Sequence, residues 1–154
     1  MISITETPFD PVHALRDFTT SSKGAGGIVS FTGHVRGEAK AGPIETLYLE
    51  AYAPMTEQGI EAAAAEANAR WPLIDLVIIH RIGEMTPGDP IVFVAASAIH
   101  RRAAFEATDF LMDYLKTKAI FWKKETGPNG ARWIEPRPED YSDSARWAKN
   151  GETA

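Results

Sequence analysis

The segment from Ala119 to Glu135 carries the pattern that most limits the possible folds. It reads AIFWKKE, TGPNG and ARWIE in succession, so two runs of strand-forming residues flank an Asn-Gly pair. Asn-Gly is a strong signal for a β-hairpin, because both residues accept the left-handed backbone that the tight turn needs. A hairpin within a mixture of helix and strand patterns favours an α+β fold over a doubly wound parallel sheet.

The rest of the chain mixes strand-like and helix-like patterns. Strands are predicted for ISIT, GIVSFTGHVRGE, IETLYLEAY, LIDLVIIHRIG and IVFVAASA, and helices for DPVHALRDFTT, MTEQGIEAAAAEANARW and residues 100–118. A length of 154 residues suits one domain. We expect that domain to span residues 1–135, and the polar, proline-punctuated segment 136–154 to be a loosely ordered tail with one helical turn.

Cysteine is absent from the chain, which removes disulfides, thiolate metal sites and cysteine nucleophiles. Sulfur chemistry would therefore need sulfur from another molecule. The four histidines show no metal-ligand spacing, and the common nucleotide-binding and hydrolase motifs are missing. No metal and no cofactor are expected.

The net charge is −5, the opposite of what a general nucleic-acid binder carries. From His100 to Lys124, however, six Lys or Arg residues stand against three Asp or Glu residues. A basic island on an acidic molecule suits a small anionic ligand. No apolar run approaches the roughly 20 residues of a membrane span, and the first residues do not resemble a signal peptide, so a cytoplasmic location is expected.

The predicted helix over residues 100–118 has an apolar arc with charges at its ends. The arc consists of Ala104, Thr108, Leu111 and Leu115. His100 and Arg101 project into this arc, and Lys116 lies at its edge. They are either a core histidine with an arginine reaching out to solvent or an anion site at a helix N-terminus, and the helix pattern alone does not decide. A second apolar strip, Ala103, Phe110 and Tyr114, predicts a homodimer.

Alternation along the following strand separates its two lysines. Lys123 shares a face with Phe121 and Glu125, whereas Lys124 shares the other face with Trp122. Lys116 and Lys123 are expected to meet if the chain turns near Ala119. The competing interpretation is a solvated charge run, which is common for lysine clusters.

A third candidate is the sequence SFTGHVRGE, in which glycines bracket His34 and Arg36 at the end of a strand. Glycine permits close approach of a ligand, and arginine can bind an oxyanion through two hydrogen bonds. The pattern is weak by itself. His80 is expected to be structural.

These segments together resemble a known family. FTGHVRGE, LYLEAY, VIIHRIGEMTPGD, RWIE and above all HRRAAFEATDFLMDYLKTKAIFWKKE are similar, in order and spacing, to the large catalytic subunit of molybdopterin synthase. The resemblance covers about residues 27–135. Ile120 stands where that family often has proline.

The resemblance implies an α/β hammerhead fold with a mainly antiparallel sheet. It also implies a sulfur transferase that converts cyclic pyranopterin monophosphate to molybdopterin by dithiolene formation. The sulfur comes from a small ubiquitin-like carrier with a C-terminal glycine thiocarboxylate, and two large subunits form the centre of a heterotetramer. Lys116 and Lys123 are implied as catalytic. The implied substrate-binding residues are His34, Val35, Arg36, His100, Arg101, Lys124 and Glu125; Lys118 is expected to be solvated.

Two other functions compete with this one. The basic and aromatic residues of 100–124 are also compatible with a non-enzymatic module that binds single-stranded nucleic acid, although the acidic net charge argues against it. A subunit that resembles the synthase but has lost activity is the other alternative, against which the intact basic residues argue.

Overall fold

The computed structural model describes residues 1–148 of the chain. The helices are α1 (Pro11–Ser21), α2 (Met55–Arg70), α3 (Arg101–Thr117) and α4 (Pro138–Ala145). The strands are β1 (Ile2–Thr5), β2 (Gly27–His34), β3 (Glu38–Ala39), β4 (Gly42–Pro43), β5 (Thr46–Ala51), β6 (Leu73–Arg81), β7 (Gly83–Met85), β8 (Pro90–Ala98), β9 (Phe121–Gly127) and β10 (Gly130–Ile134). None of the helices within residues 1–148 is long and apolar enough to cross a membrane.

Two four-stranded sheets form the frame. The first has the order β1-β6-β8-β2 and the second the order β10-β9-β5-β7; β3 and β4 form a small separate ribbon. Among the strands of residues 1–148, β1 and β6 pair in parallel and the other pairs are antiparallel. The predicted hairpin is β9–β10. The α+β fold class with a mainly antiparallel sheet is therefore confirmed.

The central strand β6 divides the core because its side chains alternate between the two faces of the first sheet. Leu76 and Ile78 pack with α2 and α3. Val77 and Ile79 face the other way and pack with Phe18 of α1. His80 follows Leu76 and Ile78 in the alternation, so it lies at the end of the α3 side of the sheet.

Helix α3 lies across the first sheet with the predicted arc inward. Ala104, Thr108, Leu111 and Leu115 are all buried. The second strip was assigned wrongly to a dimer contact. Phe110 is buried within its own chain, between Trp71 and Trp147 at ring-centroid distances of 5.4 and 5.7 Å, and Ala103 is buried as well.

The segment after Pro136 differs from the loosely attached tail expected from its polar sequence. It forms the eight-residue helix α4, and Arg146 and Trp147, which follow this helix, contact α3. Arg146 forms ion pairs of 2.8 Å with Asp109 and Asp113. The Trp147 indole N–H also donates to Asp113. A capped N-terminus and contacts with a distant helix together order this segment; residues 149–154 of the expected tail lie outside the described residues.

We expect Trp147→Ala to lower the free energy of unfolding by about 2–4 kcal/mol, because the half-buried ring covers Trp71 and Phe110. Tyr141→Ala is the matched control, since that ring is in the same segment and is exposed. Urea denaturation of both variants is followed by far-UV circular dichroism, because the substitution itself changes the tryptophan fluorescence. Equal effects of the two substitutions would show that the aromatic contact does not anchor the segment.

Candidate active site

The candidate residues divide between the two ends of α3. Strand β8 pairs antiparallel with β2, with Pro90 opposite His34 at one end and Ala98 opposite Gly27 at the other. Helix α3 follows β8 and runs back along the sheet. His100 and Arg101 consequently lie at the Gly27 end, and Lys116 at the His34 end. Lys116 follows Arg101 by fifteen positions along the helix, a rise of about 22 Å along its axis.

Three cations gather at the His34 end. Lys116 comes from the last turn of α3, Lys123 from the inward face of β9, and Arg36 from the loop after β2. Burial lowers the pKa of half-buried Lys123, and the positive charges of Lys116 and Arg36 lower it further. A lysine in such a position is more readily uncharged than a solvated one, which suits it to act as a base or nucleophile. These three residues are called the lysine site below.

Two carboxylates border the lysine site. Glu125 is buried on the same face of β9 as Lys123 and lies 3.6 Å from the Arg132 guanidinium of β10. Asp140, in the first turn of α4, is buried and accepts hydrogen bonds from Arg137. Both negative charges act to raise the pKa of Lys123 and so oppose its deprotonation. Burial tends to raise the pKa of Asp140 itself, but the Arg137 hydrogen bonds and the charges of Arg137 and Lys116 bring it below its usual value.

His80 forms part of the wall behind the lysines. Its ring stacks on Phe121 with a centroid distance of 4.2 Å and an interplanar angle of 20°. Burial lowers the pKa of His80 to about 4, and the charges of Lys116 and Lys123 act in the same direction, against a hydrogen bond with the Arg81 carbonyl. The imidazole is therefore neutral at physiological pH.

Lys124 points away from the lysine site. It is opposite Tyr48 of β5 and Trp133 of β10, on the outer face of the second sheet. Its ammonium lies 5.7 Å from the centroid of the Trp133 ring, a cation–π distance. Trp122 makes an edge-to-face contact with Trp133 on the same face. Lys124 is thus far better placed to contact a partner or solvent than a molecule bound at Lys123. Lys118, just after α3, is exposed as expected.

The three residues 34–36 have different environments. His34 and Arg36 are exposed, whereas the Val35 side chain is buried in the core of the second sheet. The Val35 N–H donates to Asp89 O, and its carbonyl accepts from Gly88 N–H, both at 2.9 Å. Val35 therefore anchors the segment and presents its two neighbours. A Cβ atom on Gly33 would lie 2.8 Å from Val92 Cγ1, so packing, rather than a ligand, accounts for this glycine.

His100 and Arg101 are exposed at the start of α3 and do not enter the apolar arc as the helix pattern predicted. The backbone of Arg101 lies against Gly27 of β2, where a Cβ atom would be 3.2 Å from Arg101 Cα, and the side chains of His100 and Arg101 are left exposed. Together with Gly26, Ile99 and Arg102 they line a cavity of about 350 Å³. Free backbone N–H groups, a histidine and an arginine at a helix N-terminus form a suitable anion site.

The sequence analysis did not predict that Asp140 and His80 lie near the lysines. Asp140 was assigned to the tail. The order Arg-Pro-Glu-Asp from residue 137 is nevertheless an N-terminal helix pattern, with Asp140 as the third residue of the helix. The position of His80 beside the lysines has no local signal, because it depends on how β6 and β9 meet across the two sheets.

A family model and curated relatives of this chain point to the same family. The family model described as MoaE protein matches residues 4–118. A curated relative, the molybdopterin synthase catalytic subunit of Pseudomonas aeruginosa, is 45% identical over 146 residues, which cover 95% of this chain and 97% of that protein.

Solved structures share the fold. The molybdopterin biosynthesis MoaE protein from Burkholderia ambifaria superposes with a TM-score of 0.75 at 44% identity and covers 96% of this chain and 97% of its own. A chain in the complex of subunits 1 and 2 of molybdopterin-converting factor from Helicobacter pylori also has a TM-score of 0.75, at 20% identity, with 88% and 91% covered. The likeness to the Burkholderia protein extends through α4, beyond the residues that the family model matches.

Proposed function

The chain belongs to the MoaE protein family, and from this membership we propose that its lysine site transfers sulfur to cyclic pyranopterin monophosphate. The chain is an enzyme of the molybdopterin synthase catalytic subunit type, which acts in molybdenum cofactor biosynthesis. The observation that carries the assignment of the site is the half-buried Lys123, held on the inward face of β9 beside Lys116 and Arg36.

The three cations have complementary tasks in this reaction. Lys116 and Arg36 supply positive charge for the anionic sulfur donor. Uncharged Lys123, with its lowered pKa, is suited to attack a thiocarboxylate carbonyl, forming an amide with the carrier as the C–S bond breaks and sulfide leaves toward the precursor. Charged Lys123 can instead protonate the carboxylate that departs when the sulfur is transferred directly. Glu125 limits how far the lysine loses its charge, because its carboxylate favours the ammonium form.

The sulfur arrives on a second protein. The chain contains no cysteine, so it cannot form a persulfide of its own. We propose a small ubiquitin-like carrier whose C-terminal glycine is a thiocarboxylate. The name of the Pseudomonas relative, a catalytic subunit, and the two-subunit Helicobacter complex support such a partner. An extended C-terminal tail can reach groups at the bottom of a narrow site, as in other cases of carboxylate capture.

The separation of the two ends of α3 supports a homodimer at the centre of the assembly. Arg101 and Lys116 of one chain are too far apart to hold one small substrate, at about 22 Å. If two α3 helices pack antiparallel across a two-fold axis, the start of one meets the end of the other. His100 and Arg101 of one protomer then bind the anionic end of a precursor that reacts at the lysine site of its partner.

Two exposed aromatic side chains support this arrangement. Strand β2 is an edge strand of the first sheet and carries Phe31, which is 44% exposed. Phe105, on the outer side of α3, is 56% exposed. Exposed aromatic side chains beside an open sheet edge are typical of a protein interface. We propose that these side chains take the place of the predicted strip of Ala103, Phe110 and Tyr114, of which the chain itself buries Ala103 and Phe110.

The nucleic-acid alternative has little support. The basic residues of 100–124 do not form one continuous surface, because Arg101 and Lys116 are at opposite ends of α3 and Lys123 faces inward. A strand-binding groove requires cations and aromatic rings along one track.

The test of the function is product formation. The chain is mixed with cyclic pyranopterin monophosphate and a thiocarboxylated carrier, and the dithiolene product is measured. Unsulfurated carrier is the matched control, and we expect it to bind without giving product. Product from free sulfide at the same rate as from thiocarboxylated carrier would contradict a carrier-dependent mechanism.

A further inference from the structure

His80 occupies a position that the sulfur-transfer chemistry described above does not use. It is buried at the end of β6, and its ring lies parallel to that of Phe121 at 4.2 Å. Phe121 begins β9 and has its side chain on the same face as Lys123, two residues later. The stacked pair thus lies directly beside the base of the Lys123 side chain.

The hydrogen bond of His80 determines which nitrogen carries its proton. Nδ1 is 3.0 Å from the Arg81 carbonyl oxygen, and a carbonyl oxygen only accepts, so Nδ1 is the donor. In the neutral ring Nε2 therefore has no proton. The ring fills the space beside two lysines without bringing a third positive charge, which a lysine or arginine in its place would do.

We propose that His80 is a positioning residue for Lys123: its uncharged ring and that of Phe121 form the wall that keeps water from the lysine side chain and fixes the start of β9. This inference rests on the proposed function of the lysine site. It gives a role to a residue outside the lysine site. It also explains why a histidine, whose flat ring has its nitrogen atoms along one edge, is buried near the end of an apolar strand.

The consequence for Lys123 follows from burial. Desolvation is the largest cause that lowers the pKa of Lys123. The charged groups that act on Lys123 are Lys116 from α3, Arg36 from the loop after β2, Glu125 from β9 and Asp140 from α4. Removing the wall admits water, stabilises the ammonium form and raises the pKa of Lys123, while those four groups stay in place.

The experiment measures the protonation of Lys123 directly. The folded protein is treated with a limiting amount of an amine-reactive acetylating reagent at a series of pH values. Acetylation of Lys123 is quantified by mass spectrometry, with exposed Lys118 as the internal reference. We expect His80→Ala to move the reactivity profile of Lys123 to higher pH and to lower its acetylation rate at neutral pH severalfold. His80→Phe keeps a neutral flat ring and is expected to leave the profile where it is.

Controls separate positioning from loss of structure. Ile78→Val changes a core residue on the same strand and face, so it lowers the melting temperature without moving the Lys123 profile. Phe121→Leu removes the other half of the stack and is expected to act like His80→Ala, which keeps the test valid if His80→Ala does not fold. An unshifted profile in whichever of these two variants folds, or an equal shift in His80→Phe, would overturn the proposal.

The result is independent of the proposed function. Acetylation of Lys123 is read without carrier or precursor, so it tests the wall even if the lysine site has another substrate. Full product formation by Lys123→Ala would refute the function and leave the acetylation result unchanged. A normal acetylation profile in His80→Ala, together with an inactive Lys123→Ala variant, would refute only the role of His80.

Discussion

Replacing Lys123 by Ala is expected to lower the rate of product formation by about 10²–10⁴-fold, the usual cost of losing a positioned acid, base or nucleophile. The fold is expected to survive, because Lys123 has no ion pair shorter than 4 Å within residues 1–148 and β9 is held between β5 and β10. The measurement is single-turnover formation of the dithiolene product with saturating thiocarboxylated carrier, beside a thermal melt.

The neighbouring lysine supplies the matched control. Lys124→Ala removes the same side chain one residue later, from the outer face of the same strand. We expect its rate of chemistry to stay within a few-fold of the parent, with any loss appearing in carrier binding. Equal losses of rate in the two variants would mean that strand alternation does not separate their tasks.

Two inactive variants are expected to restore each other when they are combined in one dimer. Arg101→Ala removes the anion-binding end of α3, and Lys123→Ala removes the reactive end of the site. If each site takes Arg101 from one protomer and Lys123 from the other, the hybrid dimer has one intact site and one that lacks both residues. Its activity should be about half that of the parent protein, on the two-site count of a symmetric dimer. The hybrid is isolated through different affinity tags on the two co-expressed chains.

The reciprocal hybrid makes this test decisive. A chain that carries both substitutions is paired with an unsubstituted chain. Sites shared between protomers then each lack one residue, and the hybrid is expected to be inactive. Sites contained within one chain give the opposite pair of results, with half activity for the reciprocal hybrid and none for the first. The substrate would in that case have to bridge about 22 Å.

Local patterns predicted most of the framework. The Asn-Gly pair placed the β9–β10 hairpin, and helix α3 was expected over 100–118 and spans Arg101–Thr117. Alternation separated Lys123 from Lys124 without any knowledge of the sheet. These features depend on neighbours in sequence, which is why a single chain can reveal them.

Features that depend on distant contacts were not predictable in this way. The helix pattern placed His100 and Arg101 in the apolar arc, because it cannot show that the Arg101 backbone lies against Gly27 of β2 with both side chains exposed. Helix α4 has little apolar character and is ordered by the contacts of Arg146 and Trp147 with α3. The same contacts cover Phe110, which the sequence alone left available for a partner.

The length of α3 has a consequence for when this protein can work. On the proposed roles, α3 holds the anion-binding Arg101 and Lys116 of the lysine site about 22 Å apart, which prevents a lone chain from engaging one substrate with both. Specific activity should therefore fall on dilution below the dissociation constant of the dimer, and recover when the protein is concentrated. A newly synthesised subunit would remain inactive until it forms a dimer, so the thiocarboxylate of the carrier is not consumed by an incomplete enzyme.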